Sequence, residues 1–377
     1  MAAASDPPST ARCDFSALAG WAGEDHRAAF TAFRTLCGGL QKPPKTGALG
    51  VDGAAVLATC ARALALPADP TADAARHFFE THFRPERLTV APGAGFLTGY
   101  FEPEIEGSRT PDASFPVPLY RRPPDLVKVS DANRTPGLDP ALELARQTPA
   151  GLVEHPDRAA IEAGALAGKG LELVWLKDPL DAYFTHIQGS ARIRLADGSV
   201  MRVAYAGKSG QPYTAIGRFL IDDGTIPRDA MTMERLRAWL AENPQKARVL
   251  MNRNRSYIFF REVTDLDPAA GPVGAAGVPL VAGRSLAVDR RLHTFGTPVW
   301  IVGALPLGAD GATAPVDRLT FATDTGSAIV GPARGDLFLG SGAEAGRIAG
   351  ALRHPVDMVM LVPLGAATCK GGSRAAR

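Results

Sequence analysis

Two kinds of hydrophobic spacing run along the chain, and the switch between them divides it. In DHRAAFTAFRTLCGGL, Phe30, Phe33, Cys37 and Leu40 fall on one helical face, with Gly38-Gly39 near the stop. A second helix is predicted through DGAAVLATCARALAL, capped by Asp52 and stopped by Pro67, and a third through PTADAARHFFETHF. The period then changes. RLTVAPGAGFLTGYFEPEIEG reads as two strands with a Gly-rich connection, and from residue 172 the pattern is mostly strand. ARIRLADGSVMRVAYAG is the clearest hairpin: Ile193 and Leu195 alternate with arginines, Asp197-Gly198 turns, and Met201, Val203 and Tyr205 alternate on the return. One helix interrupts at TMERLRAWLAENP, with Met233, Leu236, Trp239 and Leu240 on one face and a stop at Pro244. SYIFFREV follows as a strand. After the linker DPAAGPVGAAGVP come short strands in RSLAVDR, TPVWIVGAL, RLTFATDTG, LFLG and DMVMLVPL, with one helix in GAEAGRIAGAL. Residues 107–155 are rich in Pro, Arg and Asp and carry few periodic signals.

The expected fold class is therefore α+β, mostly β, with an N-terminal helical segment and two β-rich units. The C-terminal unit reads as a small closed barrel, because its many short strands lack one obvious hydrophobic edge. Composition agrees with this picture. With 377 residues the chain has room for two domains, and 46% apolar against 21% charged residues supports a real core. The 40 glycines and 31 prolines favour short strands and turns over a helical bundle. A net charge of +2 gives no footprint for nucleic acid. No apolar run approaches the roughly 18–20 residues of a spanning helix. The N-terminus, MAAASDPPSTARCDF, lacks the charged region and apolar core of a signal peptide and is compatible with the scar of a removed one. The four cysteines, Cys13, Cys37, Cys60 and Cys369, form no Cys-x-x-Cys pair, which argues against a structural zinc site. Cys37 and Cys60 lie on consecutive predicted helices, where a disulfide and two half-buried thiols are both open readings.

Candidate chemistry begins with FATDTGSA at 321–328, which looks like the signature of a pepsin-type protease. Such a site needs two Asp-Thr-Gly loops whose carboxylates share a proton, and no second loop exists. AGKSGQPYTAIG imitates a phosphate-binding loop, but Arg202 stands where its first Gly is required and Pro212 where a helix should start. GSGAEAG misses the dinucleotide spacing by one residue. The seven histidines show no His-Glu-x-x-His pattern, and there is no Gly-x-Ser-x-Gly elbow. Three aspartates remain. Asp289 and Asp324 end apolar strands and Asp336 begins one, so each sits where separate segments can converge. Taken singly, each is an ordinary turn or capping residue.

At this point a resemblance becomes specific. TGYFEP (98–103), VWLKDPLDAYFTHIQGS (174–190), YAGKSGQPYTAIG (205–217), SYIFFR (256–261), RSLAVD (284–289) and TDTGSAIVGPARGDLFLG (323–340) resemble, in order, the membrane-bound lytic murein transglycosylase A family. The C-terminal part resembles that family's three-aspartate domain, a double-psi β-barrel. The resemblance implies cleavage of peptidoglycan glycan strands between N-acetylmuramic acid and N-acetylglucosamine, without water, leaving a 1,6-anhydromuramyl end. It implies Asp336 as the single catalytic acid, with Asp324 and Asp289 in support. The chain departs from the family in having no lipobox cysteine and in carrying Gly189-Ser190-Ala191 where many members have Gly-Ser-Gly.

The chemistry asks for a carboxyl that holds its proton near neutral pH, through an apolar surround and a neighbouring like charge. Leu337 and Phe338 offer the first, and Asp324, if close, the second. Tyr100, Gln188, Ser190, Tyr205, Lys208, Tyr213 and Arg284 lie in the matched stretches and offer stacking rings and hydrogen bonds to sugars. The glutamates Glu102, Glu104 and Glu106 read as solvated or ion-paired. The expected organisation is a discontinuous domain of residues 1–103 and 265–377 carrying the aspartates, an inserted glycan-binding domain of 104–264, and a groove between them. No metal or organic cofactor is expected. The expected partner is the glycan strand, and the expected protein a periplasmic monomer, associated with the outer membrane in one reading. Rival readings are a two-carboxylate murein hydrolase and a non-catalytic polysaccharide-binding protein.

Overall fold

The computed structural model describes residues 9–89, 95–264, 267, 270–306 and 312–365. The first eight residues, Cys369 and parts of the predicted linker and Gly-rich connection lie outside them. The chain divides into two compact units. One comprises Met1–Thr98, Val273–Phe338 and Arg353–Arg377, the other Gly99–Pro272 and Leu339–Leu352.

The first unit starts with the three predicted helices, His26–Gly39, Gly53–Ala65 and Ala72–His82. Each begins where a side chain satisfies an orphan backbone N–H: Asp25 accepts from Ala28, Asp52 from Ala54 and Thr71 from Ala74. The first helix buries Phe30, Phe33, Leu36 and Cys37. Phe33 packs on Phe321 with ring centroids 5.4 Å apart, and Phe78, Phe79 and Trp300 complete the same core. Cys37 and Cys60 form a disulfide that ties the first helix to the second.

These helices pack on a nine-stranded sheet. Its order is Ser9–Arg12, Phe83–Thr89, Asp357–Pro363, Pro298–Leu305, Ala314–Asp324, Ser285–Val288, Arg334–Ser341, Phe96–Glu102, Arg353–Pro355. All the predicted C-terminal strands are present. The order is linear, with two different end strands, so among the described residues the sheet is open where a closed barrel was expected. Asp357–Pro363 alternates too little to show a solvent face and is in fact buried through six of its seven residues.

The second unit holds a six-stranded sheet in the order Ile258–Val263, Val200–Lys208, Ser190–Leu195, Glu104–Ser108, Glu172–Leu176, Val117–Tyr120. The predicted hairpin is its centre, with Ile193 paired to Met201. Arg121, just beyond one end strand, bridges to Phe260 on the other, which brings the two ends of the sheet together. The stretch 107–155 contains short strands, among them the small sheet of Leu126–Lys128, Leu144–Thr148 and Gly151–Val153. Besides the short helix Gly217–Asp222, two helices depart from the sequence reading. Pro179–Gln188 occupies a stretch read as mostly strand, and Pro244–Asn252 begins at the proline read as a stop. In both, Pro stands in the first turn, where its missing N–H costs nothing. Helix Met233–Glu242 buries Leu236 and Leu240 but leaves Met233 exposed.

Candidate active site

Strand Ser285–Val288 runs parallel to Ala314–Asp324 on one side and antiparallel to Arg334–Ser341 on the other. Ala287 is in register with Asp324 across one border and with Asp336 across the other. Paired residues project to one face of a sheet, so the two carboxylates flank the methyl of Ala287. Two strand spacings put their backbones roughly 10 Å apart. At that backbone spacing the repulsion is weaker than the about 4 kcal/mol of a 4 Å pair, yet Asp324 adds to the upward push on Asp336 as expected.

Asp336 is half-buried, with protein packed around it and part of its surface open. Leu337 and Phe338 beside it are buried. Burial raises its pKa from 3.8 to about 6, opposed by a hydrogen bond from Thr98 and by the Arg334 charge, with a smaller upward push from Asp324. The Thr98 hydroxyl donates to Asp336 Oδ1 at 2.6 Å and accepts from Arg334 Nη2 at 2.8 Å. Arg334 also donates to the Gly335 carbonyl and lies 5.6 Å over the Phe96 ring. Because a guanidinium only donates, it fixes the direction of the Thr98 proton toward the carboxyl. Oδ1 is thereby engaged, and Oδ2 is the oxygen left to carry a transferable proton. Neither Thr98 nor Arg334 was given a role by the sequence. Thr98 opens the TGYFEP stretch, but its partner is 238 positions away.

The other two aspartates are held differently. Asp289 is buried and accepts from Arg291 Nε at 3.0 Å, Arg291 Nη2 at 2.8 Å and the Gly331 N–H at 3.1 Å. The Arg291 hydrogen bonds bring its pKa down to about 2. His293, kept neutral by burial, donates from Nε2 to the Pro332 carbonyl at 2.7 Å. Asp289 and His293 thus clamp the loop that leads into the Asp336 strand. Asp324 Oδ1 accepts the N–H groups of Ala275 and Thr325, both at 2.9 Å. The Thr-Gly that suggested a protease is the turn this carboxylate caps.

Arg284 lies in the first unit and is not presented to a ligand. It pairs with the buried Glu24 at 2.8 Å and donates to the Leu319 carbonyl at 2.9 Å, while Glu24 accepts the Leu319 N–H at 2.7 Å. The residue read as a sugar contact is therefore a strut between the helical segment and the sheet.

The remaining candidates belong to the second unit. Gln188 ends helix Pro179–Gln188 and accepts the Phe101 N–H at 3.2 Å. Gly189 follows with φ 79°, a left-handed helix end, and its carbonyl accepts the Tyr205 N–H at 2.8 Å. Ser190 is buried and paired with Ala204, so it supports the sheet more than it faces solvent. Tyr205 and Tyr213 are the exposed aromatics, at 49% and 36%. Lys208 Nζ is 3.6 Å from Glu143, and Tyr100 is half-buried. The loop bearing Tyr213 is pinned by buried groups: Ser209 exchanges hydrogen bonds with Tyr257, and Gln211 donates to the His155 carbonyl at 2.9 Å. Of the three glutamates, Glu102 is fully buried and ion-paired to Arg192 at 2.8 Å and Arg202 at 3.0 Å, with Ser341 donating at 2.7 Å. Among the described residues no group of three or more His, Cys, Asp or Glu is arranged to hold a metal ion, and no helix is long and apolar enough to cross a membrane.

The geometry has counterparts in known proteins. Residues 96–261 match the family model described as the MltA specific insert domain, and residues 284–362 match the 3D domain. The crystal structure of a membrane-bound lytic murein transglycosylase from Agrobacterium tumefaciens superposes with a TM-score of 0.87 at 44% identity, covering 94% of this chain and 98% of that one. A structure of MltA from Neisseria gonorrhoeae gives 0.77 at 31% identity, covering 96% of this chain and 94% of that one. The membrane-bound lytic murein transglycosylase A of Vibrio cholerae is 34% identical over 268 residues, 70% of this chain. The matched stretch spans 64% of that relative's length.

Proposed function

The chain belongs to the membrane-bound lytic murein transglycosylase A family and carries a 3D domain, and from that premise we propose that it cleaves peptidoglycan glycan strands non-hydrolytically, with Asp336 as the single acid and base. The observation that carries the reading is a carboxyl with its pKa raised by burial to about 6, held by the Thr98–Arg334 relay. A group titrating there is still about one-tenth protonated at pH 7, close to the working point of an efficient general acid.

The steps follow from that one side chain. Asp336 Oδ2 gives its proton to the glycosidic oxygen, the bond from that oxygen to muramic C1 breaks, and the N-acetyl group of the substrate shares the positive charge at C1. The resulting carboxylate takes the proton of the C6 hydroxyl as that oxygen bonds to C1. The acid is regenerated and a 1,6-anhydromuramyl end is formed. Hydrolysis instead needs a second carboxylate free to activate water or attack C1. Asp289 is locked by Arg291 and Gly331, and Asp324 caps a turn through two N–H groups, which favours the intramolecular route. Exposed Tyr205 and Tyr213 are proposed to stack on sugar faces. The setting implied for such a substrate is the periplasm.

The test is product analysis of purified murein by mass spectrometry. Products lighter by one water than the hydrolytic ones are expected, and they disappear with Asp336→Asn. Products of full hydrolytic mass, or full activity in that variant, overturn the reading.

A further inference from the structure

A concavity of about 300 Å³ opens in the second unit at the seam where the two ends of its six-stranded sheet meet. Arg121, Arg122 and Arg261 line it, over a floor that includes Leu173, Ala206 and Phe260. Its only lining carboxylate is Glu262, and both oxygens of that group are already taken by Arg109, at 2.7 and 3.2 Å. None of the three lining guanidiniums is hydrogen-bonded to a carboxylate, although Arg121 lies near enough to Glu262 to feel its charge. Arg121 donates to the Glu172 carbonyl, Arg122 to the Leu126 carbonyl at 2.7 Å, and the Arg261 side chain makes no hydrogen bond or ion pair among the described residues. Backbone carbonyls orient a guanidinium without neutralising it. The seam therefore presents about three positive charges around one small hollow. Packing supports a built arrangement: a Cβ at Gly207 would sit 3.3 Å from Arg122 Cδ, so the bare glycine lets that side chain lie against the strand.

We propose that this arginine-lined hollow binds a carboxylate of the peptide stems carried by murein, so that the second unit engages stem-bearing strands more tightly than bare glycan. The inference rests on the murein reading above. Planar, fork-shaped donors match carboxylates bidentately, and the apolar floor suits the aliphatic part of a short peptide. Ala206, which lines the hollow, and the exposed Tyr205, proposed to stack on sugar, are consecutive residues of strand Val200–Lys208. A hollow of about 300 Å³ is at the small end of ligand sites, which suits the end of a short peptide better than a lipid chain.

The test is calorimetric binding of the full chain, carrying Asp336→Asn to prevent cleavage, to soluble glycan strands with stems intact and to the same strands stripped by an amidase. Vesicles of phosphatidylglycerol form a third arm. Combining Arg121→Gln, Arg122→Gln and Arg261→Gln is expected to weaken binding to stem-bearing strands at least about tenfold and to leave stripped strands unchanged. Arg261→Glu alone, at an exposed and unpartnered position that keeps the fold, is expected to weaken it several-fold, with a steeper loss at low salt. Equal affinity for the two glycans in the parent and both variants refutes the proposal while leaving the murein reading standing. Vesicle binding that vanishes in the triple variant while both glycan affinities persist assigns the hollow to lipid and also refutes it. Failure of the parent to bind either glycan removes the murein reading and the proposal together.

Discussion

Replacing Asp336 by Asn should abolish cleavage and at the same time stabilise the protein above pH 6. The carboxyl titrates at about 6 in the fold against 3.8 for an ordinary aspartate, chiefly because burial disfavours its charge. A midpoint displaced that far corresponds to about 3 kcal/mol, and residual solvent contact trims this to about 2 kcal/mol. The sign follows from the direction. Asp336 favours the fold fully below 3.8, where both states are protonated alike, and that benefit is lost as pH rises through about 6. Asn is neutral throughout and still accepts the Thr98 hydrogen bond. Its advantage should be about 2 kcal/mol at pH 8, or roughly 4–8 °C in melting temperature, and should vanish near pH 4. Asp289→Asn supplies the opposite sign in the same sheet. That carboxylate titrates at about 2, so its contribution is present above 3.8 and lost as pH falls through about 2. The variant should be destabilised by about 2 kcal/mol at pH 7 and little changed at pH 2. Urea melts of the three proteins from pH 2 to 8 decide the matter. If Asp336→Asn is the less stable protein at pH 8, burial is not what raises the acid, and the reasoning fails.

Three further outcomes are expected. Thr98→Val removes a hydrogen bond that favours the charged form of Asp336, so the alkaline limb of the pH–rate profile should move upward by about half to one pH unit, and an unmoved limb contradicts the relay. Arg284→Ala leaves the buried Glu24 with Arg318 as its remaining nearby cation, and chemical denaturation should show a loss of about 2–3 kcal/mol, where a surface pair would lose under 1. Removing the disulfide by Cys37→Ala with Cys60→Ala opens a loop spanning 23 positions, and the chain-entropy relation puts the cost at about 3 kcal/mol, to be read as a lowered melting temperature.

Much of the architecture was legible in local pattern. The first helices announce themselves because Phe30, Phe33 and Cys37 repeat at helical spacing behind an Asp cap, and the hairpin at Asp197-Gly198 because alternation and turn chemistry agree. Pro179 and Pro244 misled for the same reason: proline read as a barrier is, at the first turn, an entry. The aspartates were found as strand-end residues, yet their roles depend on distant partners. Asp324 and Asp336 are near in sequence and a full strand apart in space, whereas Thr98 is remote in sequence and bonded to the acid. Arg284 shows the same blindness, since only the fold brings Glu24 to it. The open strand order was likewise hidden, because each strand's own residues are silent about which edge it will find.

The strand Asp357–Pro363 sits between Phe83–Thr89 and Pro298–Leu305, well inside the sheet, though it is the last strand in the described chain. The interior of the sheet is therefore completed only when segments far apart in sequence meet. Until it pairs, Ser9–Arg12 and Phe83–Thr89 have only each other, and the sheet that carries Asp336 stays unfinished. Pairings over such long stretches also form slowly, so the carboxyl gains its dry surround late in folding.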